Sequence, residues 1–126
     1  MTLVHQLLVF LILFQIKHFI ADGPLQTKAM VDEKSTYGAP LGLLHAGIHA
    51  IGTLIAAWLA LGTLQWALTL AIGDGIIHYH VDFTKENIVK RLGWTVADGP
   101  FWWALTGDQM AHQLTYIFLA WITFQA

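Results

Sequence analysis

Residues 43–51 read LLHAGIHAI, apolar except for two histidines four positions apart, within a run from Leu41 to Leu61 that carries no charged residue. About 20 apolar residues suffice for a helix to cross the hydrocarbon of a bilayer, with a range of roughly 17–25. Three more apolar segments accompany this one, so the four lie at about 3–21, 41–61, 64–82 and 108–124. They are continuous runs, unlike the alternating pattern of barrel strands, and only helices or closed barrels satisfy the backbone in lipid. The expected fold class is therefore all-α: a polytopic membrane protein with four transmembrane helices in one domain, residues 1–126. Composition agrees, because only 11% of residues are charged and 56% are hydrophobic. A soluble domain carries roughly 25% charged residues.

The first segment begins MTLVHQ, without Lys or Arg, and no A-x-A cleavage pattern follows it. It is read as a retained helix rather than a signal peptide. Segments two and three are separated only by a turn at Gly62 and Thr63, whereas the other two connections are long. In a serpentine bundle those two loops share one face. They hold Lys28, Lys34, Lys85, Lys90 and Arg91, five of the six basic residues. The positive-inside rule makes that face cytoplasmic and puts both termini on the outer side of the membrane. Trp94, Trp102 and Trp103 suit an interfacial aromatic belt. The net charge of −2 gives no reason to expect nucleic acid as a partner. The absence of cysteine excludes thiolate metal sites.

Each apolar segment carries ionisable residues with one recurring step. His18 and Asp22 end the first and His45 and His49 open the second; Asp74, His78 and Asp82 end the third, and Asp108 and His112 open the fourth. Residues four apart share one face of a helix, about 6 Å along its axis. Because alternate helices run in opposite directions, all nine residues fall at one level, in the cytoplasmic half. A bundle can gather such inward stripes into a single site. Carboxylates within a membrane segment are costly and functional by default. Asp22, Asp74 and Asp82 also sit toward helix C-termini, where the macrodipole is unfavourable to them. A divalent metal would compensate both penalties; a proton relay is the other reading.

Each pair taken alone has a plainer explanation: a helix end for His18 and Asp22, an N-cap for Asp108, a polar interhelix contact for His45 and His49. Four helices sharing one spacing and one level favour the collective reading. The expected ligands are His18, Asp22, His45, His49, His78, Asp82, Asp108 and His112. Asp74, Gln26 and Gln109 are expected to orient them. His with Asp suits zinc first, with manganese or iron(II) as alternatives, and the ligand supply allows one or two ions. Lys17 is expected to snorkel, His80 to be exposed or to support a ligand, and Gly42, Gly47 and Gly52 to permit close helix packing.

The motifs HFIADGPLQ, LLHAGIHAI, HYHVDFTK and GDQMAHQL, in that order, resemble those of small phage and bacterial integral membrane proteins grouped as domain of unknown function 3307. The resemblance covers His18, Asp22, Gln26, His45, His49, His78, Asp82, Lys85, Asp108, Gln109 and His112. Asp74 lies outside it, and Gly23-Pro24 stands where the family carries larger apolar residues. The resemblance implies a phage or bacterial membrane protein, and by analogy with other small inner-membrane proteins a metal-dependent hydrolase.

Three functions compete. The first is a membrane-embedded metal-dependent hydrolase acting on a lipid or lipid-linked phosphate or ester, with Asp82 or Asp108 as general base and Lys85 contacting the substrate phosphate. The second is a metal-ion or proton transporter, against which stand the apolar outer halves LVFLILF and AAWLALG. The third is a non-catalytic phage–host interaction protein with a structural metal. A chain this small, with so much surface facing the bilayer, is also a candidate for self-association.

Overall fold

The computed structural model describes residues 1–125 and is entirely helical. Five helices follow in order: α1 (Leu3–Asp22), α2 (Lys28–Glu33), α3 (Pro40–Leu61), α4 (Leu64–Leu92) and α5 (Gly99–Phe124). Of these, α1 and α3 are long and apolar enough to cross a membrane by length and composition. The polar residues of α4, and the Asp108, Gln109, His112 and Gln113 of α5, lower their mean hydropathy.

Local chemistry sets the helix ends. Thr2 and Thr27 cap α1 and α2, their hydroxyls accepting from the amides of His5 and Met30. Gly23 ends α1, its amide donating to Phe19 O at 2.8 Å. A Cβ at Gly23 would stand 2.7 Å from that same oxygen, so the close chain reversal into Pro24 requires glycine there. Pro40 starts α3, and left-handed glycines end α3 and α4, Gly62 at φ 71° and Gly93 at φ 65°.

The second connection differs from the expected long loop. Helix α4 continues to Leu92 and α5 begins at Gly99. The extra turns of α4 contain Lys85, Glu86, Lys90 and Arg91, which are strong helix formers but not apolar. Asp108 is consequently inside α5 rather than at its N-cap. Likewise the first connection contains α2.

The long helices form a ring: α1 packs on α3, α3 on α4, α4 on α5, and α5 returns to α1. Two layers fill the interior. Toward the chain termini lies an apolar layer of Phe10, Phe14, Ala56, Ala57, Ala60, Ala67, Leu70, Tyr116, Leu119 and Ala120. Phe10 and Phe14 stack with centroids 4.1 Å apart. The other layer is polar and holds the candidate site. Small residues bring the helices close: a Cβ on Gly75 would lie 3.1 Å from that of Ala50, and one on Gly52 would lie 3.3 Å from the Lys17 stem. Gly42 abuts Glu33 O in the same way, but Gly47 faces open space, so it does not mediate close packing.

Large apolar side chains also cover the outside, around the polar layer as well as the apolar one. Ile12, Ile16, Ile51, Ile55, Trp58, Ile72, Ile76, Ile117, Phe118 and Trp121 are all exposed. At the level of the polar layer, polar inside and apolar outside inverts the arrangement of a soluble domain.

Candidate metal centre

All nine predicted residues converge on the polar layer. His45, His49, His78, His112, Asp74 and Asp82 are almost fully buried, with His18 and Asp108 close behind; Asp22 is half-buried. The histidine rings form a stack: His49 on His78 with centroids 3.5 Å apart, and His78 on His112 at 3.8 Å. Two sets of atoms suit a metal, Asp22 with His45, His49 and His78, and His78 with Asp82 and His112. The sets meet at His78.

Hydrogen bonding divides the histidines into two kinds. His18 is committed on both ring nitrogens: Nδ1 lies 2.7 Å from the Tyr116 hydroxyl and Nε2 lies 2.7 Å from Gln109 Oε1. Gln109 in turn donates to Asp22 Oδ2 and Asp108 Oδ2 at 3.4 and 3.3 Å. His49 is also committed. Lys17 Nζ is 3.2 Å from His49 Nδ1 and 2.7 Å from Asp74 Oδ2. An ammonium only donates, so His49 Nδ1 accepts and Nε2 carries the proton. That proton points at Asp22 Oδ1, 2.6 Å away.

His45 and His78 are of the other kind. Both ring nitrogens of each are buried without a hydrogen-bond partner, and Asp82 Oδ2 and Asp108 Oδ1 likewise accept no hydrogen bond, with Lys34 and His112 as ion-pair neighbours. Buried polar groups are nearly always satisfied, so this concentration of orphans requires an explanation. Their placement supplies one. His78 Nε2 lies 3.3 Å and His45 Nε2 3.5 Å from Asp82 Oδ2, and His45 Nε2 is 3.2 Å from Asp22 Oδ1. Ligands of a tetrahedral zinc at roughly 2.0–2.1 Å stand about 3.3 Å from one another. The residues present therefore fit a divalent ion, with His45, His78 and Asp82 at its heart. Asp22 is in reach, and His112 sits on the far oxygen of Asp82 at 3.1 Å.

The supporting residues divide between expected and unexpected. Gln26 donates to Asp22 O at 2.9 Å and accepts from Lys34 Nζ at 2.7 Å. Lys34 was not singled out in the sequence, yet it folds inward and pairs with Asp82 Oδ2 at 3.0 Å. Lys17 does not snorkel: it is buried against Asp74, with its Nζ 4.5 Å from the centre of the Tyr116 ring. Thr53 completes that contact, donating to Asp74 Oδ2 at 2.5 Å. Asp74 thus belongs to an ion pair beneath the cluster. His80 is exposed and bonds Tyr37 and Ile76 O. Lys85 pairs with Glu86 at the edge of the site.

The four-residue step marks the missed partners too. Thr53 follows His49 by four, and Tyr116 follows His112 by four. Each ladder extends one rung beyond its ionisable residues, and the polar but neutral rung was overlooked. Lys34 sits in a connecting segment, where no periodicity points to it.

A cleft of about 240 Å³ reaches the cluster from the α2 side. Asp22, Gln26, Lys34, Lys85, Asp108 and Gln109 give it a polar lining. The candidate centre is therefore buried but accessible at one edge.

The family model described as Protein of unknown function (DUF3307) matches residues 9–126. The chain belongs to this family. The match spans every residue of the candidate centre. No curated protein and no solved structure matches the chain.

Proposed function

We propose that this family member is an integral membrane protein whose four long helices cross the bilayer and hold a divalent metal, zinc in the first instance, near the cytoplasmic face. We propose further that it is a metal-dependent hydrolase acting on a lipid or lipid-linked phosphate or ester. The observation carrying the metal is the convergence of orphaned nitrogen and oxygen atoms from His45, His78 and Asp82. The apolar exterior of all four long helices supports the bilayer placement, including α4 and α5, whose Asp74, His78, Asp82, Asp108 and His112 turn inward. At about 1.5 Å per residue, the 29 residues of α4 extend some 43 Å, longer than the roughly 30 Å hydrocarbon layer. Its last turns, with Lys85, Lys90 and Arg91, then stand in the cytoplasmic headgroup region, with both termini outside.

A divalent ion held there supplies Lewis acidity toward a phosphoryl or acyl oxygen. The chain's own residues divide the remaining work. Asp82 contacts His45, His78, His112 and Lys34 at once, which suits a ligand better than a base. Asp108 borders the cleft and is linked to His112 at 3.4 Å, so it is the better general base, with His112 holding the proton between Asp108 and Asp82. Lys85, at the cleft rim, is placed to meet a substrate phosphate. Gln109 and His18 fix the direction of Asp22.

Transport is less well supported, because stacked Phe10 and Phe14 and the alanines around them close the other half of the interior. A purely structural ion is disfavoured by the polar cleft at the edge of the cluster. The test is release of inorganic phosphate from phosphatidic acid and polyprenyl phosphates in detergent. Wild type loaded with zinc should be active, and Asp108→Asn should lose at least about 100-fold, as expected for removal of a general base. Wild-type rates in both Asp108→Asn and a His45→Ala/His78→Ala variant would refute the hydrolase reading.

A further inference from the structure

Three grooves run along the outside of the bundle. The α1–α3 groove is lined by Leu13, Ile16, Ile20, Ile51, Ile55 and Leu59, and the α3–α4 groove by residues around Gly47 and Gly75. Neither is lined by any histidine or aspartate of the candidate centre. The α4–α5 groove differs. Ile76, Ile77, Val81 and Ile88 form most of one wall, with His80 and Thr84 among them, and Ala104, Gly107 and Ala111 the other; Lys85 and Asp108 face each other partway along it. Lys85 and Asp108 also line the polar cleft that reaches Asp22 and Gln109. An apolar trough open to the bilayer and a polar pocket open to the metal centre therefore meet at one point.

The small residues of α5 are not there for close packing. In membrane bundles such stripes normally draw a neighbouring helix in. A Cβ on Gly107 would meet nothing within 4 Å. The stripe leaves an empty furrow instead. Partway along it stands Asp108, with its side chain only 3% exposed and Oδ1 without a hydrogen bond, its nearest charged neighbour being His112 Nε2 at 3.4 Å. From Ile76 to Ile88 the trough runs about 18 Å along α4, enough for much of an acyl chain. Its volume is about 610 Å³, within the roughly 300–1,000 Å³ of small-molecule sites.

We infer that the α4–α5 groove binds the hydrocarbon chain of a lipid whose phosphate headgroup occupies the adjoining cleft, so that substrate enters sideways from the bilayer between α4 and α5. This rests on the proposed function and names its substrate class as a phosphate-bearing membrane lipid. Lys85 stands at the junction of chain and headgroup. Gln26 and Lys34 supply donors deeper in the cleft, whereas Gln109 is engaged with Asp22 and Asp108, and Glu86, paired with Lys85, completes the polar lining. Apolar chain and anionic head each meet their own chemistry on either side of Asp108.

The test uses the full-length protein in nanodiscs of phosphatidylcholine containing phosphatidic acid with a diazirine in its acyl chain. Cross-links are mapped by mass spectrometry, and metal content is measured on the same samples. Adducts should concentrate on Ile76–Ile88 and Ala104–Ala111. Excess unlabelled phosphatidic acid should reduce them several-fold, whereas phosphatidylcholine should not. Gly107→Trp should abolish these adducts while metal content is unchanged, and Ala111→Phe provides a second way to fill the same furrow. Adducts spread evenly over all three grooves would overturn the inference, as would displacement by any phospholipid alike or a pattern indifferent to both filling variants. Metal content fails or survives separately from the cross-link pattern, so failure of the metal reading is seen on its own.

Discussion

Replacing Lys17 with methionine isolates the residue whose structural role departs furthest from its sequence reading. Methionine keeps the apolar stem that packs on Gly52 and removes the charge. The ammonium lies 2.7 Å from Asp74 Oδ2, with side-chain exposures of 5% and 1%. Two unit charges at that distance attract by about 6 kcal/mol at an effective dielectric of 20. Desolvation of both groups consumes most of this, so the intact pair adds little net stability. Removing one partner is different. Asp74 would keep only the Thr53 hydroxyl and remain buried, for an expected loss of roughly 3–5 kcal/mol. The double variant Lys17→Met/Asp74→Leu removes the stranded charge and should recover most of that loss. Denaturant-induced unfolding in detergent micelles, followed by circular dichroism, measures all three. A single variant within about 0.5 kcal/mol of wild type, the range of ordinary surface changes, would refute the buried pair and restore the snorkelling lysine.

Other expectations follow from the same geometry. Lys34→Ala removes an ammonium that occupies Asp82 Oδ2 and repels an incoming cation, so zinc affinity should rise several-fold in a competition titration. Gly23→Ala places a methyl 2.7 Å from Phe19 O and should destabilise the fold by about 1–3 kcal/mol in the same unfolding assay. Trp58 and Trp121, both exposed among apolar neighbours, should be quenched by brominated acyl chains, and loss of quenching in single-tryptophan variants would argue against the bilayer placement.

Much of the architecture can be read from the chain. Apolar segments at the right lengths mark the four long helices, and the step of four from His18 to Asp22 and from His45 to His49 marks their inward faces. Hydropathy fails where a helix leaves the apolar layer: Lys85–Leu92 and Gly99–Gly107 are helical but not greasy enough to announce it. The site's membership is legible because ionisable residues inside apolar runs are rare. Their roles are not. Only hydrogen-bond geometry separates His18 and His49, which hold neighbours, from His45 and His78, which have free nitrogens. Lys17 reads as a snorkelling residue from sequence because its partner, Asp74, is 57 positions away in the chain.

The most direct test of the metal centre is elemental analysis of protein purified in detergent without chelator, wild type beside His45→Ala/His78→Ala and His5→Ala. Wild type and His5→Ala should carry a stoichiometric transition metal, and the double variant should lose it while retaining its helical circular dichroism. Absence of metal from all three, or equal metal in all three, would contradict the centre built on His45, His78 and Asp82.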